Sequence, residues 1–129
     1  MDVIVEESDV EGKGVFALRD FKKGEVVLDW SSSPVLTQEE IKRLSAEQEK
    51  FVYYLGNGGI LVNPPARFVN HSCDPNTFIR GFFGIAKRGI KKGEEITEDY
   101  LLEDNPNLYF ACKCRSNKCR GIIVGRKKS

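Results

Sequence analysis

Four cysteines and one histidine are the residues of this sequence best suited to hold a metal or drive nucleophilic chemistry, and their placement is uneven. His71 and Cys73 share the run Arg67-Phe68-Val69-Asn70-His71-Ser72-Cys73-Asp74-Pro75-Asn76, while Cys112, Cys114 and Cys119 follow far downstream as C-x-C-x4-C. Three thiols so close together have the compactness of a metal-binding loop, and tetrahedral zinc takes a fourth soft ligand from elsewhere. Cys73 is the remaining cysteine. If the four meet on one ion, the C-terminal segment must fold back onto Asn70 and His71, and a pocket beside them is built by residues distant in sequence. Two disulfides would suit a secreted chain instead. A Cys73/His71 hydrolase is disfavoured, because a spacing of two residues on a prolyl loop is poor geometry for a nucleophile and its base.

Composition limits the setting. A chain of 129 residues forms one domain that buries roughly two-thirds of its unfolded surface. Twenty basic against nineteen acidic residues leave a net charge of +1, so no overall field draws the chain to nucleic acid or membrane. No run of eighteen apolar residues occurs, and Met1-Asp2-Val3-Ile4-Val5-Glu6-Glu7 lacks the basic flank and apolar stretch of a secretory signal. An intracellular protein with reduced thiols is expected.

The elements that must position these residues are mostly strands. Val3 to Val5 reads as a first strand, and Val15 to Leu18 as a second after Gly12-Lys13-Gly14, two glycines that permit close approach of a ligand to backbone. Phe21-Lys22-Lys23-Gly24-Glu25 turns into a strand over Val26 to Trp30. Ile90-Lys91-Lys92-Gly93-Glu94 repeats that turn between strands at about Phe82 to Lys87 and Glu95 to Tyr100, with Arg19 and Arg88 equivalent before each. Capping-box patterns at Thr37-Gln38-Glu39-Glu40 and Ser45-Ala46-Glu47-Gln48 predict two short helices, about 38–44 and 46–55, with Ile41, Leu44, Phe51, Val52 and Leu55 on the buried side. Gly56-Asn57-Gly58-Gly59 ends the second, Ile60 to Val62 is a strand, and Phe78, Phe82 and Phe83 are core candidates.

Four blocks of this chain resemble the SET domain of protein-lysine methyltransferases with its post-SET segment. Gly12-Lys13-Gly14-Val15-Phe16-Ala17 resembles the family's N-terminal cofactor motif, and the run Arg67 to Asn76 its central signature. Gly93-Glu94-Glu95-Ile96-Thr97-Glu98-Asp99-Tyr100 is similar to its catalytic strand, and the stretch Cys112 to Gly121 to its zinc-binding post-SET motif. No cysteine precedes Cys73, so the pre-SET cysteine cluster has no counterpart.

The resemblance implies a mostly β fold of the β-clip (SET) type, with several small twisted sheets, a C-terminal pseudoknot, a helical insert at about 37–55 and a zinc loop. Residues 1–104 would form the SET domain, 105–124 the post-SET segment and 125–129 a flexible tail. It implies methyl transfer from S-adenosylmethionine, with S-adenosylhomocysteine as product, to a lysine of a protein or peptide substrate, without direct nucleic-acid or membrane binding. Tyr100 would be the catalytic tyrosine. Lys13, Gly14, Val15, Phe16, Asn70, His71, Tyr100 and Phe110 would contact the cofactor, and Cys73, Cys112, Cys114 and Cys119 would bind one structural zinc.

Transfer to nitrogen needs an uncharged lysine, and at pH 7 a free lysine is neutral only about once in 2,500. A dry aromatic channel favours the neutral form. Trp30, Tyr53, Tyr54 and Glu98 are candidates for its walls, and two depart from the family's pattern: Glu98 stands two residues before Tyr100 where an aromatic is usual, and Trp30 replaces a channel tyrosine. A dry carboxylate is costly, so Glu98 is expected to point outward. A module that binds cofactor or peptide without turnover is the alternative to an enzyme.

Overall fold

A pair of matching turns organises the molecule. In a computed structural model, which describes residues 2–9, 12–100, 109–114 and 116–124, Phe21 and Ile90 exchange two backbone hydrogen bonds of 2.8 and 2.9 Å. Around that bridge four further backbone bonds come as twin pairs. Ala17 N–H donates to the Glu94 carbonyl and Ala86 N–H to that of Glu25, both at 2.9 Å, while Gly24 N–H donates to Ala86 and Gly93 N–H to Ala17, both at 2.8 Å. Within each turn the glutamate accepts from the first lysine's amide, Glu25 from Lys22 and Glu94 from Lys91, and from the preceding arginine. Gly24 and Gly93 have φ of 89° and 92°, a backbone that side chains disfavour, which is why both copies carry glycine there.

The described residues form four small sheets. The largest has the order β1 (Val3–Glu7), β2 (Lys13–Ala17), β10 (Glu95–Glu98), β7 (Asn70–His71), with β7 parallel to β10 and the other pairs antiparallel. A second contains β3 (Val26–Asp29), β9 (Phe83–Ala86) and β8 (Thr77–Arg80); a third β4 (Val35–Thr37), β6 (Gly58–Leu61) and β5 (Val52–Leu55). β11 (Tyr109–Ala111) pairs with β12 (Ile122–Val124). The core is drawn from several sheets at once: Val15, Ala17, Val27, Leu28, Ile60, Ala86, Ile90 and Ile96 pack together, with Trp30 against them. The mostly β architecture with small sheets is as expected. The path of residues 101–108, the boundary at 104/105 and the tail 125–129 lie outside the described residues.

The helical insert differs from expectation. Both caps form, Thr37 and Ser45 accepting from the amides of Glu40 and Gln48 in full capping boxes, but α1 covers Gln38–Lys42 and α2 only Ala46–Glu49. Residues 52–55 are strand β5, paired with β6 across the two-residue turn Gly56-Asn57. Val52, Tyr53 and Tyr54 favour extended backbone, and strand pairing supplies hydrogen bonds that a marginal helix end could not. Leu55 is therefore 48% exposed rather than buried. Alternation also separates the phenylalanines of the β8–β9 hairpin: Phe82 packs on the core while Phe83 is exposed.

Candidate functional site

A pocket of about 540 Å³ opens beside β7 and the end of β10. Leu28, Trp30, Tyr53, Val62 and Ile79 give it an apolar wall, Lys13, Lys50 and Arg67 contribute cations, and Asn70, Glu98 and Tyr100 supply further polar groups. Trp30 is nearly fully buried, with its ring edge-on to Tyr53 at 5.3 Å and to Phe82 at 5.9 Å. Strand alternation separates the two adjacent tyrosines: Tyr53 lines the pocket, whereas Tyr54 donates its hydroxyl to Glu49 at 3.1 Å and is not among the lining residues.

The same period decides Glu98, and it overturns the outward expectation. On β10, Glu95 and Thr97 face the Ser8, Asn70 and Asn76 side, whereas Ile96 faces the core; Glu98 shares Ile96's face and lines the pocket with Tyr100. Asn76 fastens the other face. Its amide donates to the Glu95 carbonyl at 2.7 Å and accepts from Thr97 N–H at 2.9 Å, holding the loop after Cys73 against β10, which ends two residues before Tyr100.

Asn70 is buried and held from two sides. Its amide donates to the Lys13 carbonyl and to Glu95 Oε2, both at 2.9 Å, while Ser8 donates to Glu95 Oε1 at 2.7 Å. This carboxylate lies where a side chain at residue 14 would go: a Cβ added to Gly14 would sit 2.3 Å from Glu95 Oε2. The Gly-Lys-Gly block and the central block are thus joined through Glu95, which the sequence offered only as a strand residue. Of the first block, Gly12 and Lys13 line the pocket; Gly14, Phe16 and the fully buried core residue Val15 do not.

Tyr100 donates its hydroxyl to the Val69 carbonyl, which leaves the phenol oxygen as an acceptor. Its own N–H donates to His71 Nδ1 at 3.0 Å. His71 does not line the pocket; it is buried behind it, with Nε2 3.3 Å from Cys73 Sγ. Burial holds the imidazole below its ordinary pKa, outweighing the raising effect of Asp99, and Arg120 adds to the lowering. The 3.7 Å approach of Asp99 to Nδ1 is therefore to a neutral ring, and the carboxylate's ionic partner is Arg120, in two hydrogen bonds of 2.7 and 3.1 Å.

Cys73, Cys112, Cys114 and Cys119 converge, all four sulfurs lying within 4.8 Å of one another. Burial pushes the Cys112 thiol up to about 12. At Cys114 desolvation acts the same way but is outweighed by hydrogen bonds from the Cys73 and Ser116 amides, and the thiol falls to about 6. A metal ion bound there would displace the protons that the thiols still carry into solvent. A sulfur tetrahedron about zinc has an edge of roughly 3.8 Å for Zn–S bonds of about 2.3 Å. Cys73 and Cys112 are 3.9 Å apart and no pair of sulfurs is separated by more than 4.8 Å, so four soft donors stand within about an ångström of such an arrangement. Phe110 belongs to β11, and its side chain lies outside the described residues.

With the pocket, the tyrosine two residues beyond β10 and the thiol cluster in place, the SET domain family model matches residues 12–101. The chain belongs to the SET-domain family. It is 32% identical over 151 residues to the variant-silencing SET domain-containing protein of Plasmodium falciparum, covering 98% of this chain and 6% of that one. It is 31% identical over 137 residues to the histone-lysine N-methyltransferase ash1 of Drosophila melanogaster, covering 92% and 6%. With the H3 lysine-36 specific histone-lysine N-methyltransferase of Candida glabrata, identity is 29% over 145 residues, covering 99% and 20%. The chain thus spans a fifth or less of the length of these relatives.

Proposed function

We propose that this chain is a protein-lysine methyltransferase domain that transfers methyl groups from S-adenosylmethionine to a lysine side chain. The observation that carries the reading is the convergence of Lys13, Asn70, Trp30, Tyr53, Glu98 and Tyr100 on one pocket whose volume lies in the range of small-molecule sites. The cofactor, when bound, supplies an electrophilic methyl group on a sulfonium. Lys13 and Asn70, tied together by their own hydrogen bond, hold it from the Gly12–Gly14 side, and the family resemblance adds Phe110 as a further contact. Tyr100, anchored at both its amide and its hydroxyl, orients the amine through its phenol oxygen. A phenol with a pKa near 10 is a poor proton sink at neutral pH, so its part is positioning and electrostatics.

Trp30, Tyr53, Leu28 and Ile79 exclude water around the entering lysine and favour its neutral form, while Glu98 pulls the other way by stabilising the ammonium. The wild-type rate therefore rises with pH. The four thiolates fill a zinc coordination shell and leave no position for substrate, which makes the ion structural. Relatives named as histone-lysine methyltransferases support a histone or another protein as substrate and an intracellular, nuclear place of action.

The test is incubation of the zinc-loaded protein with methyl-labelled S-adenosylmethionine and a histone and proteome substrate panel. Label should enter lysine, and both Tyr100→Phe and chelation of zinc should remove it. Binding of the cofactor without transfer of label to any protein would replace the enzyme by a binding module.

A further inference from the structure

We propose that Arg120 is a positioning residue that couples the four-cysteine cluster to Tyr100. Arg120 follows Cys119 directly and engages both ends of the connection. Its backbone N–H donates to Cys73 Sγ at 3.3 Å, and its guanidinium grips the Asp99 carboxylate in the two-pronged contact of 2.7 and 3.1 Å. Asp99 is the residue before Tyr100. A second arm runs from the same sulfur through His71. Because Tyr100 N–H donates to Nδ1, the proton of the neutral ring resides on Nε2, which therefore donates to Cys73 Sγ. The two arms close a ring of contacts with Cys73 at one pole and the Asp99–Tyr100 peptide at the other.

The chemistry of this ring is directional. A planar guanidinium held at two points fixes the orientation of the carboxylate as well as its distance, which an ammonium cannot do. The Asp99 side chain is only 11% exposed and lies 3.7 Å from the ring nitrogen of His71, so loss of Arg120 removes both guanidinium hydrogen bonds from an almost buried carboxylate beside that ring. The relieving movement is a shift of Asp99, and Tyr100 shifts with it. Filling the cluster with metal places Cys119, and with it Arg120; ordering of the Asp99–Tyr100 segment must in turn tighten the metal by the same factor. This assignment rests on the methyltransferase reading for what Tyr100 does, but two of its three measurements do not.

The experiment compares wild type with Arg120→Ala, Arg120→Lys, Asp99→Asn and the Arg120→Ala/Asp99→Asn double variant. Three quantities are read: zinc affinity by chelator competition, amide hydrogen exchange over residues 97–100, and kcat for methyl transfer at saturating zinc. Arg120→Ala should weaken zinc and quicken exchange at 97–100 in the zinc-saturated protein, each by about tenfold, the scale of a part-exposed charge-assisted pair. The kcat should fall in step, with Arg120→Lys intermediate. The double variant should be no worse than Arg120→Ala alone, because both remove one contact. Unchanged exchange over residues 3–7 and 13–17 verifies that each variant is folded, and a variant that fails this control is judged through Arg120→Lys. Zinc-saturated Arg120→Ala with wild-type protection at 97–100 overturns the assignment. Altered exchange and zinc affinity in a protein that transfers no methyl group overturns the enzyme reading alone.

Discussion

Replacing Gly14 by alanine tests how the first and central blocks are joined. Gly14 sits in a strand with no unusual backbone angle, so the substitution costs nothing in conformation; what it adds is a methyl group 2.3 Å from Glu95 Oε2 and 2.9 Å from its carboxyl carbon. The carboxylate must swing away, and it then loses the 2.7 Å bond from Ser8 and the 2.9 Å bond from Asn70. Two charge-assisted bonds at a part-exposed site, with the freed carboxylate recovering water, amount to about 2 kcal/mol, or roughly 7 °C in Tm for a chain of this size. Asn70 keeps its bond to the Lys13 carbonyl, so the site loosens rather than collapses, and affinity for S-adenosylhomocysteine in calorimetry should drop with stability. The decisive comparison is made in a Glu95→Ala background. There the obstacle is gone and only the 3.0 Å approach to Ser8 Cβ remains, so Gly14→Ala should cost less than about 0.5 kcal/mol. An equal cost in both backgrounds would refute the reasoning.

Asn76→Ala should lower stability by about 2–4 kcal/mol in urea denaturation, since it leaves the Thr97 amide and the Glu95 carbonyl without their partner; a loss under about 1 kcal/mol would contradict that account. Glu98→Gln should move the rise of methylation rate with pH to lower pH by roughly one unit, because a carboxylate that raises the lysine's pKa is gone; superimposable profiles would dismiss Glu98 from the channel. The Lys22 amide and then Arg19 hold Glu25 below the usual carboxylate range. Its contribution is therefore present above the unfolded carboxylate pKa and is lost as pH falls through the lower folded value, so Glu25→Gln should flatten the acid side of a Tm-against-pH curve, and an unchanged slope would count against it.

What the sequence made legible was chemistry carried by residue type. Four thiols in a chain with one histidine pointed to a cluster, and two lysine-lysine-glycine-glutamate turns pointed to equivalent junctions, because few other roles suit those residues. The capping boxes at Thr37 and Ser45 were readable for the same reason, being local. The end of α2 was not. Phe51, Val52 and Leu55 fit a helical period, whereas a strand sets Val52 and Leu55 on opposite faces; the choice fell to pairing with β6, a partner that no local window contains. Glu98 was misjudged on cost alone, when the alternation fixed by Ile96 had already assigned its face. The joining roles of Glu95 and Asn76 passed unnoticed because their partners are distant in sequence, 87 positions for Glu95 and Ser8 and 19 for Asn76 and Glu95.

The twin turns have a consequence for how the chain can go wrong. Each carries the donors and acceptors that the other needs, in the same order, so the bonding edge around Phe21 is chemically interchangeable with the one around Ile90. That is the recipe for strand exchange: a nascent chain released before Ile90 is made will meet in a sibling's first turn a near copy of the mate it awaits.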